Sequence, residues 1–202
     1  MSGKKTAIIT GASGGIGAGL VAGFLEEGYN VVATSRHTNQ KLTASGSLVR
    51  IDGDIGKQQT AADAVEAAIK NFGTIDVLVN NAGIFLNKPF TDFSIEDFDA
   101  LVSTNLLGFF YMTQRTVKEM LKHKSGCIVS ITAALADRPI AGENGSVSMI
   151  TKGGLNSATQ NLAIEYEKAS ALMPWLPARW IHQCTEMNQT ALLFSRLSKG
   201  RQ

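Results

Sequence analysis

Short runs of β-branched and other apolar residues alternate along the chain with longer segments in which apolar residues recur at helical spacing. The short runs predict five strands, at 6–10, 30–35, 48–52, 75–80 and 127–132. The longer segments predict helices at 14–28, 61–72 and 148–168, and one or two more within 94–123, opened by Ser94. Strands that alternate with helices in this way predict a doubly wound α/β domain, with a parallel sheet covered by helices on both faces.

Composition narrows the class of protein. The chain has 202 residues, 44% hydrophobic and 18% charged, with a formal net charge of +2, which is typical of a single soluble globular domain. Its basic residues are scattered, so we do not expect nucleic acid as a partner. No apolar segment reaches the roughly 20 residues of a membrane span and no signal peptide is recognised, so we expect a cytoplasmic protein without a membrane partner. The two cysteines and three histidines are isolated from each other, so no metal site is expected, and Cys127 is predicted to be a small core residue.

A glycine-rich segment, "TGASGGIG", follows the first predicted strand and opens the first helix. Gly11 permits a tight turn, Gly15 lets the backbone approach a pyrophosphate, and Gly17 lets the helix pack against the strand. The helix N-terminus adds free N–H groups and a positive dipole end. The G-x-x-x-G-x-G spacing is wider than the commoner dinucleotide fingerprint, so the alternative is an ordinary connection between a strand and a helix.

Two further motifs follow in order, "NNAG" at 80–83 and "TKGG" at 151–154. With the glycine-rich segment they resemble the short-chain dehydrogenase/reductase family over about residues 5–168. The resemblance implies a Rossmann-type fold and an NAD(P)(H)-dependent oxidoreductase that acts on a small carbonyl or alcohol substrate. It also implies a homo-oligomer, a dimer or tetramer, formed through the long helices around 105–122 and 152–168.

The resemblance assigns cofactor-binding residues by position. Asp54 matches an acidic residue that contacts the adenine, with Ile55 beside it, and the alternative for Asp54 is a cap for the helix that follows. Asn80 matches a residue that ties strands together. The remaining assigned residues are Thr10, Gly11, Ser13, Gly15, Ile16 and Gly17 at the pyrophosphate, and Asn81, Ala82 and Gly83 along the ribose.

The end of the second strand favours one dinucleotide over the other. A carboxylate there would bind the ribose 2'-hydroxyl of NAD(H), but this chain has Thr34, Ser35 and Arg36. A guanidinium matches a phosphate in bidentate fashion, so Arg36 favours NADP(H). NAD(H) stays the alternative, with Arg36 as an ordinary solvated loop residue.

Only two of the four residues at the proton-transfer site match the family. Enzymes of this family use an Asn, a Ser, a Tyr and a Lys, which the resemblance assigns here to Asn105, Ala133, Ser148 and Lys152. Thr132 takes the position next to the catalytic Ser. Lys152 would also hold the nicotinamide ribose. The sequence thus predicts an atypical site built from Asn105, Ser148 and Lys152.

A serine is a poor substitute for the tyrosine, because an aliphatic hydroxyl ionises far less readily than a phenol and reaches less far. Tyr111 and Tyr166 are on other helix faces and are not expected to replace it. Three charged residues of the loop before the last helix are better candidates to replace it: Asp137, Arg138 and Glu143. The favoured interpretation of all three is nevertheless that they are ordinary solvated loop residues. Two rival functions are a dinucleotide-binding protein without turnover and a truncated inactive product.

The family resemblance ends near 168, and residues 169–202 form a tail that is not a separate domain. If the third base of each codon is read with the first two of the next, from Ala169 to Cys184, codon choices exist that spell IRFNAVAPGAVDTPM. That string is what the family carries at this point. We therefore hypothesise a frameshift near codons 167–169, which would replace the last strands of the sheet.

Overall fold

The structure is a computed structural model that describes residues 3–38 and 42–166. Its strands are β1 (Thr6–Thr10), β2 (Asn30–Ser35), β3 (Leu48–Asp52), β4 (Val77–Asn80) and β5 (Cys127–Ser130). They form one sheet in the order β3-β2-β1-β4-β5, and every neighbouring pair is parallel. The predicted Rossmann-type α/β fold is confirmed.

Helices connect the strands across both faces of the sheet. They are α1 (Gly15–Glu26), α2 (Gln58–Phe72), α3 (Ile95–Leu101), α4 (Gly108–His123) and α5 (Ser146–Glu165). A π-helical turn, Val102–Leu107, joins α3 directly to α4. Single turns of 3-10 helix occur at Phe90–Asp92 and Ala134–Ala136.

The start of α3 lies where the sequence predicts it. The Ser94 hydroxyl accepts a hydrogen bond from Asp97 N at 3.2 Å, and the Asp97 carboxylate accepts one from Ser94 N at 3.1 Å. This reciprocal capping box satisfies a free N–H group of the first turn, so the helix begins at a defined residue.

The core lies on both faces of the sheet, because successive strand residues point to opposite sides. Ala7 and Ile9 of β1 pack in one cluster with Leu20 and Phe24 of α1. Ile8 points to the other face, in a second cluster that includes residues of α2 and α4: Ala61, Ala64, Ala68, Met112 and Met120. The central strands thus read as continuous apolar runs because both faces are covered.

Several predicted boundaries are wrong by a few residues. β4 begins at Val77 rather than at 75, because the Thr6 N–H is bound by the Asp76 carboxylate, at 2.8 Å. β5 ends at Ser130 rather than at 132, after a last ladder bond from Ile131 N to Asn80 O. α1 spans Gly15–Glu26 rather than 14–28. Both α2 and α5 begin earlier than predicted, at Gln58 and Ser146.

The predicted domain boundary at 168, the tail 169–202 and the frameshift within it lie outside the described residues. Within the described part of the chain, β5 is an edge strand paired only with β4. Across the same residues, no helix combines the length and the apolar character needed to traverse a lipid bilayer.

Candidate functional site

The glycine-rich turn lies at the carboxyl end of β1 and packs backbone against backbone. Gly11 has φ of 66°, a conformation that glycine adopts without strain. A Cβ added at Gly17 would lie 2.1 Å from the Gly11 carbonyl oxygen, so α1 approaches β1 as closely as glycine allows. At Gly15, with φ of 53°, a Cβ would meet no heavy atom within 4 Å, so the backbone faces open space. The tight turn at Gly11 and the close approach at Gly17 are as the sequence predicts, and the open space at Gly15 leaves room for a ligand at the backbone.

The N-terminus of α1 carries no capping side chain. Its N-cap is Gly14, with no side-chain hydrogen bond, and no acidic residue lies in the first turn. The first N–H groups of a helix lack intrahelical partners, and together with the positive end of the helix dipole they favour an anion. The turn therefore has the chemistry that a pyrophosphate needs.

Thr10 and Asn81 hold this turn against the end of β4. The buried Thr10 hydroxyl accepts hydrogen bonds from Asn81 N at 3.0 Å and Ala82 N at 2.9 Å. The Asn81 amide donates to Thr10 O at 2.8 Å and to Gly11 O at 3.2 Å. Asn81 therefore ties β4 to β1. The prediction that Asn80 does so is wrong, because its amide donates instead to the Thr113 hydroxyl of α4 at 3.0 Å.

An open cleft of about 510 Å³ extends from the glycine-rich turn to α5. Phe85, Leu135, Thr132 and Ala133 are among its lining residues. Six predicted site residues line it as well, namely Gly11, Ile16, Asn81, Ala82, Gly83 and Lys152. Thr10, Ser13, Gly15 and Gly17 belong to the turn that bounds it without lining it.

The residues predicted for the adenosine half lie beyond this cleft. Arg36 directly follows β2 and is exposed. Asp54 is also exposed, and its carboxylate accepts a hydrogen bond from Gly56 N at 2.9 Å. The alternative of Asp54 as a helix cap is wrong, because the N-cap of α2 is Lys57, without a side-chain bond. Ile55 is half-buried and packs against Gly108, where a Cβ would lie 3.0 Å from it.

Lys152 reaches the cleft from the first half of α5. Its side chain is mostly buried, and Nζ donates a hydrogen bond to Ile131 O at 2.8 Å, just past the end of β5. A Cβ at Gly83 would lie 2.8 Å from this Nζ, so the missing side chain at Gly83 makes room for the amine. Removal from water disfavours the charged form, and burial therefore lowers the pKa of Lys152 below its ordinary value.

Asn105 lies in the π-helical turn and is 1% exposed. Its Oδ1 accepts a hydrogen bond from Ile84 N at 2.8 Å, and its Nδ2 donates to Ile84 O at 3.0 Å and to the Thr151 hydroxyl at 2.9 Å. The amide therefore joins the segment after β4 to α5. π-helical turns are frequent at functional sites, and this one presents Asn105 to its partners.

Ser148 does not line the cleft. It is 0% exposed; its Oγ donates to Leu86 O at 3.0 Å and accepts from Leu86 N at 3.0 Å. Both the donor and an acceptor site of the hydroxyl are thus used by one backbone residue. The sequence predicts Ser148 at the proton-transfer site, but the structure does not bring it to the cleft with Lys152: its hydroxyl is directed to the backbone of Leu86.

Of the other residues considered for the proton-transfer site, some line the cleft and the rest lie away from it. Thr132 and Ala133 both line the cleft, because β5 has ended before them and strand alternation no longer separates them. Tyr111 packs with the core face of α2 and α4, and Tyr166 ends α5, about 20 Å along the helix from Lys152. Asp137, Arg138 and Glu143 are exposed and do not line the cleft; Glu143 accepts a hydrogen bond from the Asn87 amide.

Sequence analysis missed how the segment 84–88 is fixed. Asn105 holds both backbone groups of Ile84 and Ser148 holds both of Leu86. Beyond them, Asn144 N donates to the Asn87 side chain at 3.0 Å and Lys88 N donates to Asn144 O at 2.9 Å. The partners are far apart in sequence, and no local pattern signals them. This segment is held by hydrogen bonds along its length, and Ile84 and Phe85 form part of the cleft wall.

No group of three His, Cys, Asp or Glu side chains gathers in a way that could hold a metal ion within residues 3–38 and 42–166.

Comparisons with known proteins agree with this geometry. The family model described as short chain dehydrogenase matches residues 5–173. The 3-oxoacyl-acyl-carrier-protein reductase FabG of Staphylococcus aureus is 34% identical over 170 residues, which cover 80% of this chain and 68% of that protein. An uncharacterized oxidoreductase of Staphylococcus epidermidis is 29% identical over 168 residues, covering 80% of this chain and 71% of that protein.

Solved structures give the same result. The 3-ketoacyl-(acyl-carrier-protein) reductase of Brucella melitensis, complexed with NADH, superposes with a TM-score of 0.78 at 31% identity, covering 82% of this chain and 72% of that one. ElxO with NADP bound superposes with a TM-score of 0.76 at 28% identity, over 82% and 69% of the two chains. The glycine-rich turn, the cleft and these matches lead to one conclusion: the chain belongs to the short chain dehydrogenase family of oxidoreductases.

Proposed function

We propose that the chain binds NADP(H) in the cleft and transfers hydride to or from a small carbonyl or alcohol substrate, with a weakened proton-transfer site. The observation that carries this proposal is the continuous path from the uncapped N-terminus of α1, past Ala82 and Gly83, to the amine of Lys152. A nicotinamide dinucleotide would supply the hydride. The chain's own residues would hold its pyrophosphate on α1 and its ribose beside Lys152.

The dinucleotide itself is inferred from the turn and from the relatives. The backbone contact between Gly17 and Gly11 and the open space at Gly15 fit a phosphate-binding turn. Solved relatives hold NADH in one case and NADP in another, so the family accepts either dinucleotide.

The preference for NADP(H) rests on the end of β2. Arg36 is exposed there, where a 2'-phosphate would lie in this class of fold. Asp52 is opposite Ser35 in the register of β2 and β3, but its carboxylate is bound by Thr38, whose backbone N donates at 2.7 Å. Arg36 is thus the charged side chain best placed to select the phosphate.

Titration with NADPH and NADH tests the cofactor assignment directly. We expect saturable binding, tighter for NADPH, and we expect R36A to weaken NADPH binding by about tenfold while leaving NADH binding unchanged. R138A is the matched control, because Arg138 is also exposed but does not line the cleft. Absence of saturable binding to either dinucleotide would refute the proposal, and equal loss for both would refute the role of Arg36.

A second function, dinucleotide binding without turnover, is favoured by the position of Ser148. Its hydroxyl donates its proton to Leu86 O and accepts from Leu86 N, and none of the described residues lining the cleft is a tyrosine. A screen of small aldehydes, ketones and alcohols with NADP(H) separates the two functions. Slow turnover that depends on Lys152 supports the oxidoreductase, whereas saturable binding with no turnover supports the second function.

We further propose a cytoplasmic homo-oligomer formed through α4 and α5. Large apolar side chains are exposed on both helices: Phe110 on α4, and Ile150 and Ile164 on α5. Patches of this kind mark interaction surfaces when they are contiguous. Sedimentation velocity tests the assembly, and replacing Phe110 by Ser should shift it towards the monomer without changing dinucleotide affinity.

A further inference from the structure

The cleft has one charged group in its described lining, the amine of Lys152. Lys152 is the only charged residue among the described residues that line the cleft, and the remainder of that lining is apolar, glycine, Asn81 or Thr132. The ion pairs of Lys88 with Asp97 and of Lys122 with Glu119 do not involve Lys152. Lys152 therefore faces the cleft without a carboxylate partner there.

The surroundings of Lys152 suit a neutral amine. Nζ donates a hydrogen bond to Ile131 O at 2.8 Å. An uncharged amine can make this bond with one N–H, and its lone pair then stays available. Burial lowers the pKa of Lys152, so the uncharged form is more accessible than in an exposed lysine. Desolvated lysines of this kind are the ones that proteins use as nucleophiles.

This chain leaves the amine accessible to a carbonyl compound. Residue 148, one turn before Lys152 on α5, directs its side chain to Leu86, so no side chain from that position separates the amine from the cleft. Gly83 adds no side chain beside Nζ either. The cleft also has apolar lining residues that suit an apolar carbonyl compound, among them Ile84, Phe85 and Leu135.

We propose that Lys152 is a nucleophilic amine that condenses with small apolar aldehydes entering the cleft. The Nζ lone pair forms a bond to the carbonyl carbon, and the carbonyl π electrons and the proton released by nitrogen give a hydroxyl group. Loss of that hydroxyl as water, with the second proton from nitrogen, leaves a C=N bond. The reaction is a condensation without oxidation or reduction and consumes no cofactor.

The proposal goes beyond the oxidoreductase function and does not depend on it. An imine on Lys152 requires the amine and the cleft but no dinucleotide. Titration with NADPH therefore tests the oxidoreductase function separately, and either proposal can fail while the other holds.

The experiment traps the imine on the full chain. The protein is incubated with hexanal and sodium cyanoborohydride at neutral pH, which reduces an imine to a stable secondary amine, and each lysine is then quantified by peptide mass spectrometry. We expect Lys152 to be modified about tenfold or more faster than Lys118, an exposed lysine of α4, because the cleft holds the aldehyde beside the amine. Equal rates at the two lysines would overturn the proposal.

Two controls keep the result interpretable if a variant folds poorly. In urea the preference for Lys152 should disappear, since it depends on the folded cleft, and a preference that survives in urea would count against the proposal. Glyoxylate, a charged aldehyde, should label Lys152 less selectively than hexanal does. K152R should remove the fast-reacting site, whereas K118R should leave the modification of Lys152 unchanged.

Discussion

Ser148 and Leu86 are joined by two hydrogen bonds, one in each direction, between a single side-chain hydroxyl and both backbone groups of the leucine. Ser148, which the sequence predicts at the proton-transfer site, thus fixes the segment 84–88 beside the cleft. The bonds in the structure give position 148 a structural role. The first two predictions follow from this relationship.

Replacing Ser148 by Ala should lower the free energy of unfolding by about 1–3 kcal/mol, because the Leu86 N–H and C=O lose their partner in a buried setting. Urea unfolding measures this, and dinucleotide affinity should stay unchanged. S157A is the matched control, since Ser157 is an exposed serine of the same helix and should cost almost nothing. Equal effects of the two substitutions would contradict the role of Ser148.

Replacing Ser148 by Tyr should raise the rate of hydride transfer. A phenol is larger than the serine it replaces at this buried position, and we expect its ring to break the contact with Leu86 and to turn towards the cleft. General acid–base groups contribute about 10²–10⁴ in rate. Steady-state kinetics with NADPH and an aldehyde measures the gain.

The control for this prediction is S148F, which brings the same ring without the hydroxyl. Both substitutions should lower the free energy of unfolding, because each removes the hydroxyl that binds Leu86. S148F should leave the rate of hydride transfer unchanged. If NADPH still binds to S148Y and the rate does not rise, the chain lacks more of the active site than the phenol.

Replacing Gly17 by Ala should abolish dinucleotide binding and lower stability by about 1–3 kcal/mol, because the new Cβ would lie 2.1 Å from the Gly11 carbonyl oxygen. Thermal unfolding and NADPH titration measure the two effects. Gly153 in α5 is the matched control, because a Cβ there meets no atom within 4 Å. G153A should gain up to about 1 kcal/mol from helix propensity and keep its affinity for NADPH.

Lys152 should make stability depend on pH in the alkaline range. Its pKa is lowered in the folded state, so between that pKa and the ordinary value of 10.5 the unfolded chain binds more protons than the folded one. Stability therefore rises as pH increases through this window and levels off above it. Urea unfolding at several pH values should give a flatter profile for K152M than for the parent chain.

The control for the pH profile is K118M, which removes an exposed lysine and should keep the rise. A profile that stays unchanged in K152M would show that another group causes the dependence.

The coding sequence should carry the trace of a frameshift near codons 167–169. Some steps of the alternative reading are fixed by the genetic code, since Met173 followed by Pro174 must give Ala and Trp180 followed by Ile181 must give Asp. Sequencing the gene tests the others. If no nearby change of one or two bases restores IRFNAVAPGAVDTPM, the hypothesis is wrong.

Local features of the fold could be predicted from sequence. The glycine-rich turn, the strands of the sheet and the capping box at Ser94 each depend on residues close together in the chain, so the pattern contains their cause. The start of β4 could not be predicted, because it depends on the Asp76 carboxylate meeting Thr6 N, 70 positions away.

The candidate site divides in the same way. Lys152 and Gly83, which sequence motifs single out, lie together at the cleft. The orientation of Ser148 could not be foreseen, because helical spacing places it on the face of Lys152 and only the contact with Leu86, 62 positions away, turns its hydroxyl aside. Sequence predicts which residue type the site lacks, whereas the structure shows which backbone groups the Ser148 hydroxyl binds.

The π-helical turn Val102–Leu107 puts α3 and α4 out of phase. A regular α-helix advances by about 100° per residue, so one residue taken up by a wider turn rotates every later side chain by roughly that angle. A helical wheel drawn across 95–123 would therefore assign the solvent-facing side of α4 incorrectly. Deleting a single residue from the turn would reverse this rotation, and we expect it to move Asn105 away from Ile84. The length of this turn, as much as its composition, therefore decides which side of α4 faces the core.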